Sequence, residues 1–357
     1  MGTVFKYVLL GFGGIARNRI ASEGFGLGAG YEKPEGAELV AAFDINTSGR
    51  PLAESWGLKW CGSAEEILRD PAIDAVFIAS INSAHAPLAR LALNAGKHCL
   101  VEKPMATAVA EAEELVALAA GKGLSLAVDH MMVKNTLNRK AKEIVLAREI
   151  GEVEGICLHM EFLYGSTPDE AASWRCAKPE ELGGPIGDVG SHCLYMAEYL
   201  LGEKVAALSA AYALKTYELN VENGAQIGFE MRSGLRGSAR VSFAENRGGP
   251  AGTLLNLGFE IYGKTGAIRS YGTMFQLSGH PGEPVVQRLE IDSGNTVHVI
   301  RADGIPVENI YKAVIEDHAR SILAGTPSCG EDGLWNLGLI MGAHESAQNA
   351  GRRIVFL

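Results

Sequence analysis

Short apolar runs alternate with amphipathic segments over the first 130 residues of the chain. The amphipathic segments repeat their apolar positions at helical spacing, and Gly96 and Gly121 stand where two of these helices are expected to stop. Strands that alternate with helices in this way are typical of parallel strands joined by crossover helices, so a doubly wound α/β sheet is predicted. The predicted strands are Phe5–Leu10, Glu38–Phe43, Ala75–Ala79, His98–Val101 and Ser125–Val128, and the predicted helices are Ala64–Arg69, Pro87–Asn94 and Val109–Ala120.

The pattern changes after Gly151, where longer strand-like runs follow one another with glycine turns and few helices between them. Such a succession favours a large, mostly antiparallel sheet. We therefore predict a first domain over residues 1–130 and a second, α+β domain over residues 131–357, whose last helix can pack back on the first. The predicted strands of the second domain are Val153–Leu163, Val205–Leu214, Ala225–Met231, Gly237–Phe243 and Leu257–Tyr262, and its closing helices are Asn309–Leu323 and Asp332–Asn349.

Size, charge and cysteine use narrow the class of protein. A chain of 357 residues with 47% hydrophobic residues can bury a sizeable core, and its net charge of −10 offers no footprint for nucleic acid or an anionic membrane. No signal peptide or membrane-spanning run is visible, and the six cysteines lack CxxC spacing. No metal-ligand spacing is found among His98, His159, His280, His298, His318 and His344. We expect a cytoplasmic protein of small-molecule metabolism without a metal site.

A glycine-rich turn, Gly11–Ala16, directly follows the first strand and opens a helix. In this GxGxxA pattern the first glycine permits a tight turn, the second lets the backbone approach a pyrophosphate, and the small alanine lets helix and strand pack closely. N–H groups at the helix start face the phosphates. The pattern predicts a dinucleotide-binding turn of the Rossmann type rather than a purely structural glycine turn. The predicted cofactor-binding residues of the turn are Gly11, Phe12, Gly13, Gly14 and Ile15.

Asp44 ends the second strand, where a carboxylate accepts hydrogen bonds from ribose hydroxyls. It lies later than is usual after the glycine turn, because the glycine-rich stretch Gly24–Gly36 adds a surface insertion. We place the following residue, Ile45, in the same cofactor site. A carboxylate here repels a 2′-phosphate and favours NAD, although Arg50 and its loop leave NADP possible.

Lys103 lies in Glu102-Lys103-Pro104, at the end of the strand His98–Val101. The carboxyl edge of a doubly wound sheet is where ligands bind, so a lysine there can polarise a carbonyl or lower the pKa of a substrate hydroxyl. Glu102 can hold the lysine, and the proline fixes the local backbone. Glu102 and Lys103 are also expected among the cofactor-binding residues. The alternative is a solvated lysine at a strand end.

Asp188 and His192 follow a second glycine-rich stretch and are spaced i, i+4. On a helix these side chains share one face. A carboxylate can orient an imidazole that takes up or releases a proton near neutral pH, as alcohol oxidation and carbonyl reduction require. Alternatively, Asp188 is a helix N-cap and His192 a buried histidine of the core.

The three fragments Gly11–Ala16, Glu102–Pro104 and Asp188–His192 resemble, in this order, the cofactor turn, the EKP lysine, and the aspartate and histidine of the Gfo/Idh/MocA oxidoreductases. The resemblance covers nearly the whole chain, including the closing stretch from Asp332. It implies that Lys103 and His192 contact the reacting hydroxyl, with His192 as the base. Asp188 would bind substrate or support the histidine.

The same resemblance implies roles for two further segments. Ser80, Asn82 and His85 would lie beside the nicotinamide ribose, the alternative for His85 being a surface histidine at a helix start. Trp174-Arg175 would wall or clamp the substrate pocket. The segment after the strand Ser125–Val128 departs from the family's Arg-Phe-Pro pattern, which leaves the identity of the substrate open.

By resemblance, the chain is an NAD(P)-dependent dehydrogenase or reductase that transfers a hydride between nicotinamide and a sugar, cyclic polyol or sugar derivative. Two alternatives stay open. One is an NAD-dependent glycosidase that uses transient oxidation and elimination, and the other is a non-catalytic dinucleotide-binding regulator. The family's open-faced sheet often packs against another subunit, so a homodimer or homotetramer through this sheet is expected.

Overall fold

The computed structural model describes residues 3–245, 257–272, 287–294 and 296–356. Contacts divide this part of the chain into two compact units. The first unit contains residues 3–131 and 308–337, and the second contains the other described residues. Among the described residues, no helix combines the length and the apolar composition needed to cross a bilayer.

The α-helices of the described residues are numbered along the chain and are divided between the two units. The last helix is continuous, although its residues 331–337 belong to the first unit and the rest to the second. The helices are α1 Arg50–Ser55, α2 Ala64–Leu68, α3 Asn82–Asn94, α4 Val109–Lys122, α5 Thr136–Leu146, α6 Pro168–Ala172, α7 Trp174–Ala177, α8 Ser191–Leu201, α9 Ile310–Leu323 and α10 Glu331–Gln348; π-helices span Ala16–Gly24 and Ile186–Gly190, and 3₁₀-helices span Thr47–Gly49, Met131–Lys134, Pro179–Glu181 and Ala302–Gly304.

The first unit is built on a six-stranded sheet in the order β3-β2-β1-β4-β5-β6, in which every pair is parallel. Tyr7–Leu10 of the central strand are fully buried, as expected where helices cover both faces of a parallel sheet. The predicted doubly wound fold is therefore confirmed. The strands are β1 Phe5–Leu10, β2 Ala37–Phe43, β3 Lys59–Trp60, β4 Ala75–Ile78, β5 His98–Val101 and β6 Leu126–Val128.

Two predicted helix boundaries in this unit are wrong. Helix α4 continues past Gly121 and ends at Lys122, and the next residue, Gly123, has a φ of +65°, the left-handed conformation that favours glycine directly after a helix. Helix α3 begins at Asn82 rather than at Pro87, which lies in its interior. Proline is best tolerated in the first turn of a helix, so the sequence alone favours a helix start at Pro87. Residues 82–85 are thus helical.

Residues 308–337, which are predicted from the sequence to belong to the second domain, pack with the first unit. Helix α9 contacts the π-helix Ala16–Gly24 and β2. The Tyr7 hydroxyl lies 2.7 Å from Nδ1 of His318, and both side chains are buried. The N–H of Leu126 donates to the carbonyl oxygen of Ser328 at 2.7 Å. These contacts join residues 308–337 to strands β1, β2 and β6.

The second unit contains a nine-stranded sheet in the order β14-β13-β12-β11-β7-β10-β9-β8-β15. All its pairs are antiparallel except β7 with β10, so the predicted, mostly antiparallel sheet is confirmed. Helix α8 packs on β7, and α5 packs on α8. The strands are β7 Val153–Glu161, β8 Val205–Tyr212, β9 Gly224–Met231, β10 Arg236–Ser242, β11 Leu257–Gly263, β12 Gly266–Tyr271, β13 Arg288–Asp292, β14 Val297–Arg301 and β15 Ile354–Val355.

Candidate active site

The glycine turn after β1 has the geometry expected for a dinucleotide. Gly11 has φ +95°, and a Cβ there would lie 2.6 Å from the backbone of Ala79, so only glycine fits. By contrast, nothing lies within 4 Å of a Cβ built on Gly13 or Gly14, and both are exposed. The backbone of this turn is therefore accessible to a phosphate, and Ala16 packs fully buried behind it.

Asp44 is tied to this turn by its own carboxylate. Its Oδ2 accepts the N–H of Phe12 at 2.6 Å, and its Oδ1 accepts the N–H of Asn46 at 2.7 Å. The neighbouring Ile45 is 90% exposed. Arg50 donates to Glu54 at 2.8 Å. The half-buried carboxylate thus lies at the end of β2, where ribose hydroxyls bind in such folds.

His85 joins the loops that follow β4 and β5. Its ring is fully buried, with Nδ1 2.7 Å from the carbonyl oxygen of Pro104 and Nε2 3.2 Å from that of Ser80. The alternative of a surface histidine is therefore wrong. Asn82, in the same helical turn, is also buried, whereas Ser80 is half-buried. The roles of these three residues beside a nicotinamide ribose stay predictions.

Lys103 is half-buried at the carboxyl edge of the parallel sheet, directly after β5. The backbone N–H of Lys103 donates to Oε2 of Glu102 at 3.2 Å, and the peptide bond between Lys103 and Pro104 is cis. Pro104 is buried and meets the ring of His85. The backbone on both sides of Lys103 is therefore held in place, by Glu102 before it and by the contact of Pro104 with His85 after it.

Asp129 was not singled out from the sequence. It follows β6 just as Glu102 follows β5, and Val101 pairs with Val128 in the sheet. Asp129 is completely buried, and together with Glu102 it raises the pKa of the Tyr311 phenol, on which burial acts most strongly. The sequence does contain a signal for Asp129, because it is a carboxylate directly after a strand. Strands β5 and β6 end at the same edge of the sheet, so Asp129 lies at the edge where Glu102 and Lys103 lie.

The second unit brings Trp174, Arg175 and Asp188 together. Arg175 Nε donates to Asp188 Oδ2 at 3.3 Å, and the guanidinium lies 4.6 Å from the centre of the Trp174 ring. Asp188 belongs to the π-helix Ile186–Gly190 rather than to the N-cap of α8, so the N-cap alternative is wrong. His192 is buried in the first turn of α8.

The predicted site residues thus fall into two groups. The cofactor turn, Asp44, the His85 loop and Lys103 belong to the first unit, whereas Trp174, Arg175, Asp188 and His192 belong to the second. No group of three histidine, cysteine, aspartate or glutamate side chains suited to a metal ion occurs within the described ranges.

A Rossmann-type glycine turn with an acidic residue at the end of the second strand, together with a lysine at the sheet edge, is typical of a nicotinamide-dependent oxidoreductase. Over residues 5–130 the chain matches the model of the Gfo/Idh/MocA oxidoreductases with their NAD-binding Rossmann fold. Over residues 138–269 it matches the model of that family's C-terminal domain. The chain belongs to the Gfo/Idh/MocA family, as its motifs predicted. Its predicted enzyme class and NAD(P) cofactor are also confirmed.

Individual relatives span most of the chain. The 1,5-anhydro-D-fructose reductase of Ensifer adhaerens is 27% identical over 320 residues, which are 86% of this chain and 88% of the relative. The structure of the aldose-aldose oxidoreductase of Caulobacter crescentus has a TM-score of 0.83 at 23% identity and covers 99% of this chain and 100% of its own. A levoglucosan dehydrogenase in complex with NADH and levoglucosan has a TM-score of 0.81 at 20% identity, covering 99% of both chains.

Proposed function

We propose that this oxidoreductase interconverts a hydroxyl and a carbonyl group on a neutral sugar, cyclic polyol or anhydrosugar. The observation that carries the proposal is the Arg175–Asp188 pair beside the Trp174 ring, in the unit that also holds the buried His192. An aromatic face with nearby charged hydrogen-bonding groups suits a molecule that has both C–H faces and hydroxyls. The anhydrosugar named for the Ensifer relative supports the same class.

Different parts of the dinucleotide would be bound by different residues. The exposed backbone at Gly13 and Gly14 would hold the pyrophosphate, and Asp44 would accept the ribose hydroxyls. A bound NAD(P) supplies the acceptor or donor for the hydride. Because a carboxylate at Asp44 repels a 2′-phosphate, the proposed preference is for NAD.

Lys103 and His192 are the proposed catalytic residues. The Lys103 ammonium would donate a hydrogen bond to the oxygen on the reacting carbon, which stabilises negative charge as the hydroxyl loses its proton. His192 would accept that proton in oxidation and return it in reduction. Asp188, which Arg175 holds in place, would accept hydrogen bonds from substrate hydroxyls or orient the histidine.

We also propose that the protein works in the cytoplasm as a homodimer or homotetramer through the nine-stranded sheet. One face of this sheet carries a row of opposed charged residues, Glu260, Arg269 and Glu290. Tyr262 and Val299 are exposed large side chains on strands of the same sheet. Light scattering after size-exclusion chromatography tests this assembly, and an Arg269→Glu variant is expected to weaken it. A monomer at every concentration would contradict it.

The enzyme's substrate is found by an absorbance screen at 340 nm with NAD and NADP against anhydrosugars, aldoses, inositols and amino sugars. Growth of absorbance with one group of compounds is expected and names the substrate class. If no compound reacts although calorimetry detects NAD binding, the dehydrogenase proposal fails. Chromogenic glycosides would then separate a glycosidase from a non-catalytic regulator.

A further inference from the structure

Glu222 lies on the loop between β8 and β9, and its carboxylate packs against the glycine-rich turn ahead of Asp188. Its Oε1 accepts the N–H of Ile186 at 2.8 Å. Gly184 has φ +82°, and a Cβ there would lie 2.5 Å from Oε2 of Glu222. The carboxylate therefore occupies the space that a side chain at position 184 would need. The turn and the carboxylate fit together closely.

Ile186 begins the π-helix that carries Asp188 and continues directly into α8. The first N–H groups of a helix have no acceptor within the helix and need one from elsewhere. Glu222 supplies that acceptor for Ile186 from a distant part of the chain. The N-cap residue of the π-helix, Pro185, makes no side-chain cap, so the start of the helical segment depends on contacts such as this one.

Glu222 also lines an open cavity of about 470 Å³ in the second unit. The other titratable or charged side chains around this cavity are Tyr212, Lys215 and His344. The Tyr212 hydroxyl lies 3.2 Å from Nδ1 of His344, and Lys215 donates to Glu218 at 2.7 Å. The cavity gives the Glu222 carboxyl access to water, so that it can exchange protons with solvent.

We propose that Glu222 is a positioning residue that fixes the segment Ile186–His192 through the N–H of Ile186. The catalytic meaning of this contact rests on the proposed roles of Asp188 and His192. The contact itself does not depend on those roles, since it is a property of the turn. A carboxylate at position 222 thus sets where Asp188 and His192 are presented.

The strength of this contact changes with pH near neutrality. Burial raises the pKa of Glu222 to about 7, although the hydrogen bond from Ile186 opposes the rise. An ionised carboxylate accepts a hydrogen bond roughly twice as strong as a neutral acid does. While the carboxyl stays buried in the closed contact, its hydrogen bond to the N–H of Ile186 is therefore stronger at pH 8 than at pH 6, even though ionising a buried group lowers the stability of the whole fold. The rate profile should contain an inflection near pH 7 that does not arise from His192.

The contact is tested first without any substrate, by amide hydrogen exchange of the peptide that contains residues 183–192. In Glu222→Ala the protection factor of Ile186 is expected to fall by about tenfold, because the hydrogen bond is lost. In Glu222→Gln an amide oxygen still accepts, so protection stays but no longer changes between pH 6 and pH 8. Glu218→Gln, an exposed change on the same loop, is the matched control. Unchanged protection in Glu222→Ala would overturn the proposal, whether or not a substrate is known.

Kinetics then connect the contact to the reaction. On the substrate found in the screen, Glu222→Gln is expected to keep most of the kcat while losing the inflection near pH 7. Glu222→Ala is expected to lower kcat by about tenfold with little change in the KM for the dinucleotide. If Glu222→Gln keeps the parent profile, the inflection belongs to another group and the pH part of the inference is wrong. A wild-type enzyme that oxidises no sugar defeats the proposed function but leaves the exchange result to decide the positioning role.

Discussion

The N–H of Phe12 and the carboxylate of Asp44 are joined by a hydrogen bond of 2.6 Å between the cofactor turn and the end of β2. A second hydrogen bond, from the N–H of Asn46, fixes the other oxygen of the same carboxylate. The negative charge is therefore held at one place relative to the turn. In the proposed cofactor site the 2′-phosphate of NADP would meet this charge directly, which is the reason for the proposed preference for NAD.

Asp44→Ser is predicted to shift the ratio of kcat/KM between NAD and NADP toward NADP by about tenfold. The serine removes the repelling charge but keeps a hydroxyl for the ribose. Initial rates with both dinucleotides measure the ratio, and Glu38→Gln, an exposed change on the same strand, is the control. A parent enzyme that already prefers NADP would contradict this interpretation of Asp44.

Lys103→Ala is predicted to lower kcat by roughly 10²–10⁴-fold while leaving dinucleotide affinity nearly unchanged. In the proposed mechanism the lysine acts on the substrate oxygen, whereas the glycine turn and Asp44 bind the cofactor. Stopped-flow turnover and calorimetry with NAD separate these two quantities. Lys122→Ala, at the exposed end of α4, is the matched control. Full activity in Lys103→Ala would remove the lysine from the mechanism.

Arg175→Leu and Asp188→Asn are predicted to act non-additively on kcat/KM. Each change breaks the same ion pair, so the double variant should lose less than the product of the two single losses. We expect a coupling of about 1 kcal/mol, since both side chains are partly buried. Steady-state kinetics of the four proteins measure the cycle. Strictly independent effects would show that the pair does not operate as a unit.

Glu222 is predicted to make the protein less stable as pH rises. Its folded-state pKa of about 7 lies above the ordinary value of 4.5, so the protonated form is favoured by folding. This contribution is complete below pH 4.5 and is lost as pH rises through 7, by up to about 3 kcal/mol. Urea unfolding at pH 5 and pH 8 tests the slope. Glu222→Gln should flatten it, and an unchanged slope would assign it to other groups.

His318 is predicted to make the protein less stable as pH falls, because burial lowers the pKa of its ring to about 3. The neutral ring is favoured by folding, so its contribution is complete above pH 6.5 and is lost as pH falls toward 3. The free energy of unfolding should drop by about 2 kcal/mol between pH 7.5 and pH 5 from this group alone. His318→Gln should remove that drop, whereas His298→Gln, an exposed change on β14, should not. Identical drops in the two variants would contradict the prediction.

The parts that the sequence predicted well depend on local pattern. The alternation of buried strands and helices indicated five of the parallel strands of the first sheet, and the Gly11 turn was found because its backbone conformation demands glycine. Strand β3 has only two residues and was missed. Strands β12 to β15 were also missed; of these, β14 is mostly exposed and β15 has only two residues.

Residues whose role depends on tertiary contacts were the ones that the sequence did not reveal. Asp129 and Glu222 are ordinary acidic residues in the sequence, and only their packing against distant elements distinguishes them. The same holds for His318, whose partner Tyr7 lies 311 positions away. The motif residues were recognisable because their chemistry is local, whereas these three act through neighbours that only the fold supplies.

The interleaving of the two units has a consequence for synthesis of the chain. The strands of the first unit leave the ribosome early, but residues 308–337, which complete that unit, are made only after most of the second unit. Until then the nascent polypeptide lacks the helix that buries Tyr7 and contacts β2. A translation product that stops near residue 131 would therefore expose apolar surface and depend on chaperones, so premature termination should give an aggregating fragment rather than a working dinucleotide-binding module.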